Sequence, residues 1–347
     1  MNHNGDMEMA TQLIDVAASA GADAVKFQTF CAQELVSRHA PKAEYQNRTT
    51  DPSESQFDMI RKLELTEADH EVLIAHARSR GIAFLSTPFD LPSLALLTQR
   101  FGLRTIKIAS GEITNAPFLL AIARTTTRVI LSTGMSTLAE IEAALGVLAC
   151  GYMAPNGAMP RRGDFERAFS SNAGQEALRD HVTLLHCTTE YPAPIDEVNL
   201  RAMDTMAAAF NLPVGYSDHT LGVHISLAAA ARGAQVIEKH FTLDRGLSGP
   251  DHKASLDPNE LHELVRQIRE IEKSLGDGIK RPGASEVKNR DIARKSLVAE
   301  RAIKSGELFT VENLACKRPG TGVSPMHYWD YLGTAADSPL NSDELLK

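Results

Sequence analysis

Two lysines and a set of hydroxyl side chains form a candidate anion site in this sequence. Lys26 and Lys107 each lie in a short apolar run of the kind that forms a buried β-strand. Hydroxyl residues stand at or near the ends of such runs, and these are Thr87, Ser110, Ser132 and Ser217. Ammonium groups and hydroxyls together satisfy several oxygens of one phosphate or carboxylate. The pattern predicts an anionic substrate, although any single hydroxyl has an alternative role as the cap of the following helix.

Two histidines, His219 and His240, indicate a second kind of chemistry. Each stands at the polar end of an apolar run, with Asp218 and Glu238 close by in the sequence. Two imidazoles at equivalent heights on neighbouring strands suit a first-row divalent metal ion with positions left open for substrate and water. A lone histidine is more often a packed core residue, but the paired arrangement favours a metal site. His186 is a weaker candidate, for a supporting or merely packed position.

These residues end seven short β-rich runs that alternate with helical patterns. The runs are 24–28, 82–87, 105–110, 129–133, 182–187, 213–217 and 235–241. Several successive runs start 22 to 24 residues apart (82 to 105, 105 to 129, 213 to 235), which is room for a strand, a helix and two loops. This spacing predicts parallel βαβ units and an α/β fold. We expect a (β/α)8 barrel that lacks its first strand. A doubly wound open sheet is the alternative, but no glycine-rich dinucleotide motif follows any strand.

Local signals mark helix ends and two domains. Asp257 and Glu260, and likewise Thr137 and Glu140, have the spacing of a capping box at a helix start. The pattern predicts a barrel domain over 1–280, a linker over 281–290 and a small β-rich domain over 291–347. Long connections interrupt the barrel at 29–65, on the active-site side, and at 150–181, on the opposite face. The small domain has β-like runs at 296–299, 308–309 and 314–317 and a helical stretch near 326–333.

The composition excludes several classes of protein. Hydrophobic content of 43% and charged content of 23% are typical of a globular protein. A net charge of −8 disfavours nucleic acid as a partner, since duplex binding needs a basic face. No apolar stretch approaches the ~18 to 20 residues of a membrane span, and the first residues do not form a signal peptide, so a cytoplasmic location is expected. The cysteines lack a CxxC pair, which favours free thiols; they are Cys31, Cys150, Cys187 and Cys316.

Nine motifs occur in order along the chain and resemble those of one enzyme family. They are Asn-His-Asn-Gly at 2–5, Val-Lys-Phe-Gln at 25–28, Ser-Thr-Pro-Phe-Asp at 86–90, Lys-Ile-Ala-Ser-Gly-Glu at 107–112, Ser-Thr-Gly-Met at 132–135, His-Cys-Thr-Thr-Glu-Tyr-Pro at 186–192, Tyr-Ser-Asp-His-Thr at 216–220, Glu-Lys-His-Phe-Thr at 238–242 and Gly-Pro-Asp-His at 249–252. From residue 2 to the end, the chain is similar to the bacterial N-acetylneuraminate (sialic acid) synthases. The tail, with Ala-Arg-Lys-Ser at 293–296 and the stretch 317–325, resembles their antifreeze-like (SAF) domain.

The resemblance implies a metal-dependent condensation of phosphoenolpyruvate with an N-acylated hexosamine. His219 and His240 would hold the metal, manganese or magnesium. Phosphoenolpyruvate would be bound by Lys26, Thr87, Lys107, Ser110, Ser132 and Ser217, with Thr189 at a position that is often Asn in the family. The amino sugar would face Glu112, Tyr191 and Asp251, and the first loop would bring Asn2 to the substrates. Similar enzymes are domain-swapped homodimers, in which Arg318 would reach the active site of the second copy.

The chain departs from the family at its start. Family members begin with a strand ending in Glu-Ile-Gly before the Asn-His-Asn-Gly motif, and its glutamate is linked to the reacting water. The sequence begins after that point, so we expect a misassigned start or a truncation that removes one strand and one carboxylate.

The identity of the sugar stays open at this point. N-acetylmannosamine, giving N-acetylneuraminate and phosphate, is the main expectation. The alternative is an N,N'-diacetyllegionaminate synthase that uses 2,4-diacetamido-2,4,6-trideoxymannose. It stays open because the motifs concern phosphoenolpyruvate and the metal, which both kinds of enzyme share. The loop at 37–56 occurs in both kinds of enzyme. A different class, an inactive barrel or a non-catalytic binding protein, is the third interpretation.

Overall fold

The computed structural model describes residues 2–37, 40–42, 54–157 and 159–347. Most of the loop at 37–56 therefore lies outside the described residues. The chain forms two compact units, Met1–Leu275 and Gly276–Lys347. Among the described helices, none is both long enough and apolar enough to cross a bilayer.

Seven parallel strands form the centre of the large unit. They are β1 (Ala24–Thr29), β2 (Ala83–Pro88), β3 (Thr105–Ile108), β4 (Arg128–Ser132), β5 (Val182–Cys187), β6 (Val214–Asp218) and β7 (Ile237–Lys239). β1 pairs with β2, and β3 to β7 form one sheet in chain order, all in parallel. The predicted strands and their parallel pairing are confirmed. Their apolar runs are explained by burial of the sheet beneath helices.

Helices connect the strands. They are α1 (Met7–Ser19), α2 (Ala32–Leu35), α3 (Gln56–Arg61), α4 (Glu67–Ser79), α5 (Leu91–Ala95), α6 (Ala116–Arg124), α7 (Leu138–Met153), α8 (Arg162–Ser170), α9 (Asn172–His181), α10 (Ala202–Phe210), α11 (His224–Ala231) and α12 (Pro258–Leu275). Both predicted capping pairs form. The Glu140 amide donates to Thr137 Oγ1 at 3.3 Å, and the Glu260 amide donates to Asp257 Oδ1 at 2.9 Å. The long connection at 150–181 folds into α8 and α9, which pack against α7.

The outer edges of β1 and β7 face a cavity. Within the described part of the chain, neither edge carries a further strand. A cavity of about 630 Å³ is lined by both strands, including Val25 and Ile237, and by apolar residues of α1 and α12 such as Leu13 and Leu264. The parallel α/β layout is thus that of a partial barrel, and the missing first strand stays a prediction.

The core lies between the sheet and its helices. One cluster joins β3 to β6 with α6, α7 and α10, and in it Leu131 and Leu145 are fully buried. A second cluster joins β1 and β2 with α1 and α4 through residues such as Phe27 and Leu73. Together these clusters hold the strand ends at fixed positions.

The small unit is built on an antiparallel pair, β8 (Ser296–Ala299) and β9 (Leu314–Lys317). Its helices are α13 (Ala284–Val287), α14 (Asn289–Ala293) and α15 (Tyr328–Tyr331). The strand predictions at 296–299 and 314–317 are confirmed, whereas 308–309 forms only a bridge between Leu308 and Ala335. Residues 281–290, predicted as a linker, contain α13. The residues of α13 are exposed and show no apolar periodicity. Glu286 caps the start of this helix, because its side chain accepts from the Gly283 amide at 3.3 Å.

Two leucines of α7 test the core. Leu145 is 0% exposed and Leu138 is 43% exposed. We expect Leu145→Ala to lower the free energy of unfolding by about 2–5 kcal/mol, because it leaves a cavity in the core. The matched change Leu138→Ala should cost less than about 0.5 kcal/mol. Urea unfolding measures both, and equal losses would contradict this description of the core.

Candidate active site

Glu238 lies at the centre of a charged cluster contributed by four strands. Its Oε1 is 3.3 Å from Lys26 Nζ and 3.8 Å from Lys107 Nζ. Ser217 Oγ donates to the same oxygen at 2.9 Å. The predicted anion-site residues Lys26, Lys107 and Ser217 are therefore brought together, and a carboxylate that was not among the predicted site residues lies between them. Its sequence signals are its place in the motif at 238–242 and its position two residues before His240, on the same side of the strand.

The charges of this cluster shift the ionisation of Lys107 and of Glu238. Lys107 is 2% exposed, and its Nζ donates to Ser132 Oγ at 2.6 Å and to the Ile108 carbonyl at 2.9 Å. Burial lowers the pKa of Lys107 to about 8, although the Glu238 charge acts in the opposite direction. Burial alone would raise the pKa of Glu238, but the charges of Lys107 and Lys26 outweigh it and hold that pKa well below its usual range. At neutral pH Lys107 thus carries an ammonium group and Glu238 a carboxylate.

Hydroxyl groups surround the backbone at Gly134. The Gly134 amide donates to Ser110 Oγ at 2.9 Å. A Cβ at this glycine would lie only 2.2 Å from Thr189 Oγ1, so only glycine leaves room for that hydroxyl. Thr189 Oγ1 and Thr87 Oγ1 are buried and have no hydrogen-bond partner among the described residues. Such buried, unsatisfied hydroxyls are donors available to a bound ligand.

The two predicted metal ligands lie side by side. The ring centroids of His219 and His240 are 5.6 Å apart, and the Tyr191 ring lies 4.1 Å from the first and 5.6 Å from the second. His219 Nδ1 donates to the Thr188 carbonyl at 2.7 Å, which leaves Nε2 with a free lone pair. Burial lowers the pKa of both rings, that of His240 to about 3. Both imidazoles are therefore neutral, the form that binds metal.

The donor set fits a divalent ion that keeps open positions. No group of three His, Cys, Asp or Glu side chains arranged for a metal occurs among the described residues. The chain thus offers two imidazoles, and the remaining positions would fall to substrate oxygens or water.

The first loop is anchored at the same end of the unit. Asn2 Nδ2 donates to the Phe241 carbonyl at 2.7 Å and to Ser255 Oγ at 2.8 Å. Its Oδ1 is buried without a hydrogen-bond partner in the described part of the chain. Asp251 is 8% exposed, and its charge acts on the nearby His240. Asn2 and Asp251 thus lie close to the imidazole pair.

Two further predicted site residues, Glu112 and Arg318, form local hydrogen bonds. Glu112 ends a short 3₁₀ turn, Ser110–Glu112, and is half-buried, accepting from Asn115 Nδ2 at 2.8 Å. Arg318 is an exposed residue of the small unit, where its Nε donates to the Ala293 carbonyl at 3.0 Å. The roles assigned to both stay predictions.

Comparison with known proteins identifies the family. Residues 13–280 match the NeuB family, and residues 294–347 match the SAF domain. The chain belongs to the NeuB family. This confirms the family predicted from the motifs, a sialic-acid-type synthase with a SAF domain.

Relatives within the NeuB family include two of the same name. The chain is 54% identical to the N,N'-diacetyllegionaminic acid synthase of Campylobacter jejuni, over all of its own length and 96% of the relative's. It is 42% identical to the Legionella pneumophila protein of that name, over 100% and 91% of the two chains. A crystal structure of N-acetylneuraminic acid synthetase from Leptospira borgpetersenii is 34% identical and superposes with a TM-score of 0.64, covering 83% of this chain and 86% of that one.

The lowered pKa of Lys107 predicts that anion binding depends on pH. Because its pKa is about 8, Lys107 is charged below that pH and loses its charge above it. Sulfate affinity should therefore be constant from pH 6 to 7.5 and then fall, toward a limit of about tenfold per pH unit. Calorimetry with sulfate is suitable because sulfate does not itself titrate in this range.

The matched variant is Lys107→Arg, whose guanidinium keeps its charge. It should bind sulfate equally well at pH 7 and pH 9.5. A parallel decline in both proteins would show that Lys107 is not the titrating group.

Proposed function

We propose that this NeuB-family chain is an N,N'-diacetyllegionaminate synthase. It would condense phosphoenolpyruvate with 2,4-diacetamido-2,4,6-trideoxymannose and release inorganic phosphate. The observation that carries this choice is the 54% identity, over the whole chain, to a protein of that name. The main expectation from the motifs, N-acetylmannosamine as the sugar, becomes the second candidate, supported by the 34% identity to the Leptospira sialic acid synthetase.

The charged cluster supports the phosphoenolpyruvate half of the proposal. This substrate carries a phosphate and a carboxylate, which match Lys26, Lys107 and the hydroxyls of Ser110, Ser132 and Ser217. The unsatisfied hydroxyls of Thr87 and Thr189 add buried donors. The Glu238 charge raises the pKa of Lys107 against the effect of burial, which favours its ammonium form without a ligand.

The imidazole pair supports the metal-dependent part of the proposal. When bound, manganese or magnesium would supply Lewis-acid polarisation of the sugar aldehyde. His219 and His240 would hold the ion through neutral nitrogens, and Tyr191 packs against both rings. Asp251, Glu112 and Asn2 would contact the sugar.

The proposed reaction forms one C–C bond and breaks one C–O bond. C3 of phosphoenolpyruvate attacks the open-chain aldehyde, whose oxygen takes up a proton and becomes a hydroxyl. C2 becomes cationic, adds water and loses a proton to give a tetrahedral intermediate. The C2–O bond to the phosphate then breaks, the C2 hydroxyl passes its proton to the departing inorganic phosphate, and the ketone remains. Lys26 and Lys107 would stabilise the carboxylate and phosphate charges throughout, in a site already organised before the substrate binds.

The proposal extends to the assembly of the enzyme. We propose that the gap between β1 and β7 would hold one further strand in a complete (β/α)8 barrel; the cavity along both strand edges supports this. We also propose a domain-swapped homodimer in the cytoplasm, with Arg318 of the small unit acting in the active site of the second copy.

A comparison of the two sugars tests the substrate. With phosphoenolpyruvate and manganese, kcat/KM for 2,4-diacetamido-2,4,6-trideoxymannose should exceed that for N-acetylmannosamine by at least about tenfold. The reason is that a pocket shaped for a second acetamido group and for a sugar without a 6-hydroxyl fits N-acetylmannosamine less well. Phosphate release and the mass of the nine-carbon product measure it. EDTA should abolish both activities.

Each other result has a distinct meaning. Preference for N-acetylmannosamine would move the assignment to N-acetylneuraminate synthesis. Phosphate release that persists in EDTA would contradict the metal, and no release with either sugar would contradict the enzyme assignment for this chain.

A further inference from the structure

A buried ion pair lies behind the two strand ends that carry the imidazoles. In β6 and β7, Ser217 pairs with Glu238 and Asp218 pairs with Lys239. Successive side chains of a strand point to opposite faces. Ser217 and Glu238 therefore meet in the site, whereas Asp218 and Lys239 meet on the other face. Asp218 Oδ2 is 2.9 Å from Lys239 Nζ, and the two side chains are 0% and 3% exposed.

Both carboxylate oxygens of Asp218 are fully engaged. Oδ1 accepts from the Thr220 amide at 2.9 Å and from Thr220 Oγ1 at 2.8 Å. Oδ2 accepts from Ser226 Oγ at 2.5 Å as well as from Lys239. Lys239 Nζ also donates to the Thr220 carbonyl at 2.5 Å. This Asp218 network, comprising Asp218, Thr220, Ser226 and Lys239, joins β6, the loop after it, α11 and β7.

Both imidazoles are attached directly to members of the network. His219 lies between Asp218 and Thr220 in the chain, and His240 follows Lys239. No described hydrogen bond or ion pair links a network side chain to either imidazole ring, although the Asp218 charge acts on His219. The backbone is therefore the route by which the network would position the rings. The backbone of His219 is held further by the Ala193 amide, which donates to the His219 carbonyl at 2.9 Å.

Net stability does not account for this arrangement. Burying two charges costs desolvation, and well-packed apolar residues are often as stable as a buried ion pair. A network in which both charged groups have partners instead selects one backbone arrangement, because any shift leaves a buried charge unpaired.

We propose that Asp218 and Lys239 are positioning residues that hold His219 and His240 in the relative placement needed to bind one divalent metal ion. This inference rests on the proposed metal-dependent function. It adds two residues that act on the site without touching substrate or metal.

The test is the double variant Asp218→Asn/Lys239→Met in the full-length chain. It removes both charges together and leaves neither buried charge unpaired. Mn²⁺ affinity, measured by calorimetry, should fall about 10–100-fold, the range seen when groups behind metal ligands are removed. The milder Ser226→Ala, which deletes one neutral hydroxyl, should lower it about threefold.

A matched control separates positioning from stability. Thr29 Oγ1 is buried and bonds His70 Nε2 at 2.8 Å and Ser86 Oγ at 2.7 Å, in a network that joins β1, β2 and α4. Thr29→Val should lower the unfolding midpoint but change Mn²⁺ affinity less than about twofold, because no described hydrogen bond of Thr29 reaches His219 or His240. If Mn²⁺ affinity instead follows the unfolding midpoint across all variants, the role is structural and the proposal is wrong.

A metal-free measurement makes the result independent of the proposed function. Nitrogen-15 NMR of the histidines should show His219 as a single Nδ1–H tautomer in the parent chain, because Nδ1 donates to the Thr188 carbonyl. The double variant should show a tautomer mixture. If His219→Ala leaves Mn²⁺ affinity unchanged, the metal assignment fails. Whatever the result for the metal, a single retained His219 tautomer in the double variant would overturn the positioning role.

Discussion

The attraction between one carboxylate and two ammonium groups is the interaction on which the site depends. Lys107 is almost fully buried, and without Glu238 its charge would face that of Lys26 with no compensation. At about 4 Å and an effective dielectric near 20, each such attraction has a Coulomb energy of about 4 kcal/mol, before the desolvation cost is subtracted. The ion pair between Lys26 and Glu238 also links two strands. Lys26 lies on β1 and Glu238 on β7, two strands that form no ladder with each other, so this ion pair crosses the gap between their edges.

The sequence was most informative where the signal is local. The Thr137–Glu140 and Asp257–Glu260 caps join residues three apart, and apolar runs identify strands without knowledge of their neighbours. Asp218 and Glu238 were noted beside the histidines, but their ion pairs were missed because these depend on strand register. In the sequence, Asp218 and Glu238 are both acidic residues near a histidine, yet Glu238 faces the site and Asp218 faces the helices. Asn2 is likewise anchored by Ser255, 253 residues away.

The residues of the site divide by how firmly the fold holds them. Lys107, Ser132 and Ser217 lie on strands, beneath packed helices. Tyr191 and Asp251 lie in segments that follow strand ends, where changes in length and sequence are tolerated better. If the strand residues bind the phosphorylated substrate and the loop residues face the sugar, relatives can change sugars while keeping the same chemistry. This division explains why motifs centred on strands identify a family more readily than a sugar.

The alternation along β6 and β7 places a limit on how this protein can evolve. On each strand a residue of the candidate site, Ser217 or Glu238, is followed directly by a residue of the Asp218 network on the opposite face, Asp218 or Lys239. Losing or gaining a single residue within either strand would exchange the two faces, placing Asp218 or Lys239 in the site and Ser217 or Glu238 against the helices. These two strands can therefore diverge by substitution but not by length. Genes of this lineage should accumulate insertions and deletions in the loops and none between residues 214 and 218 or 237 and 239.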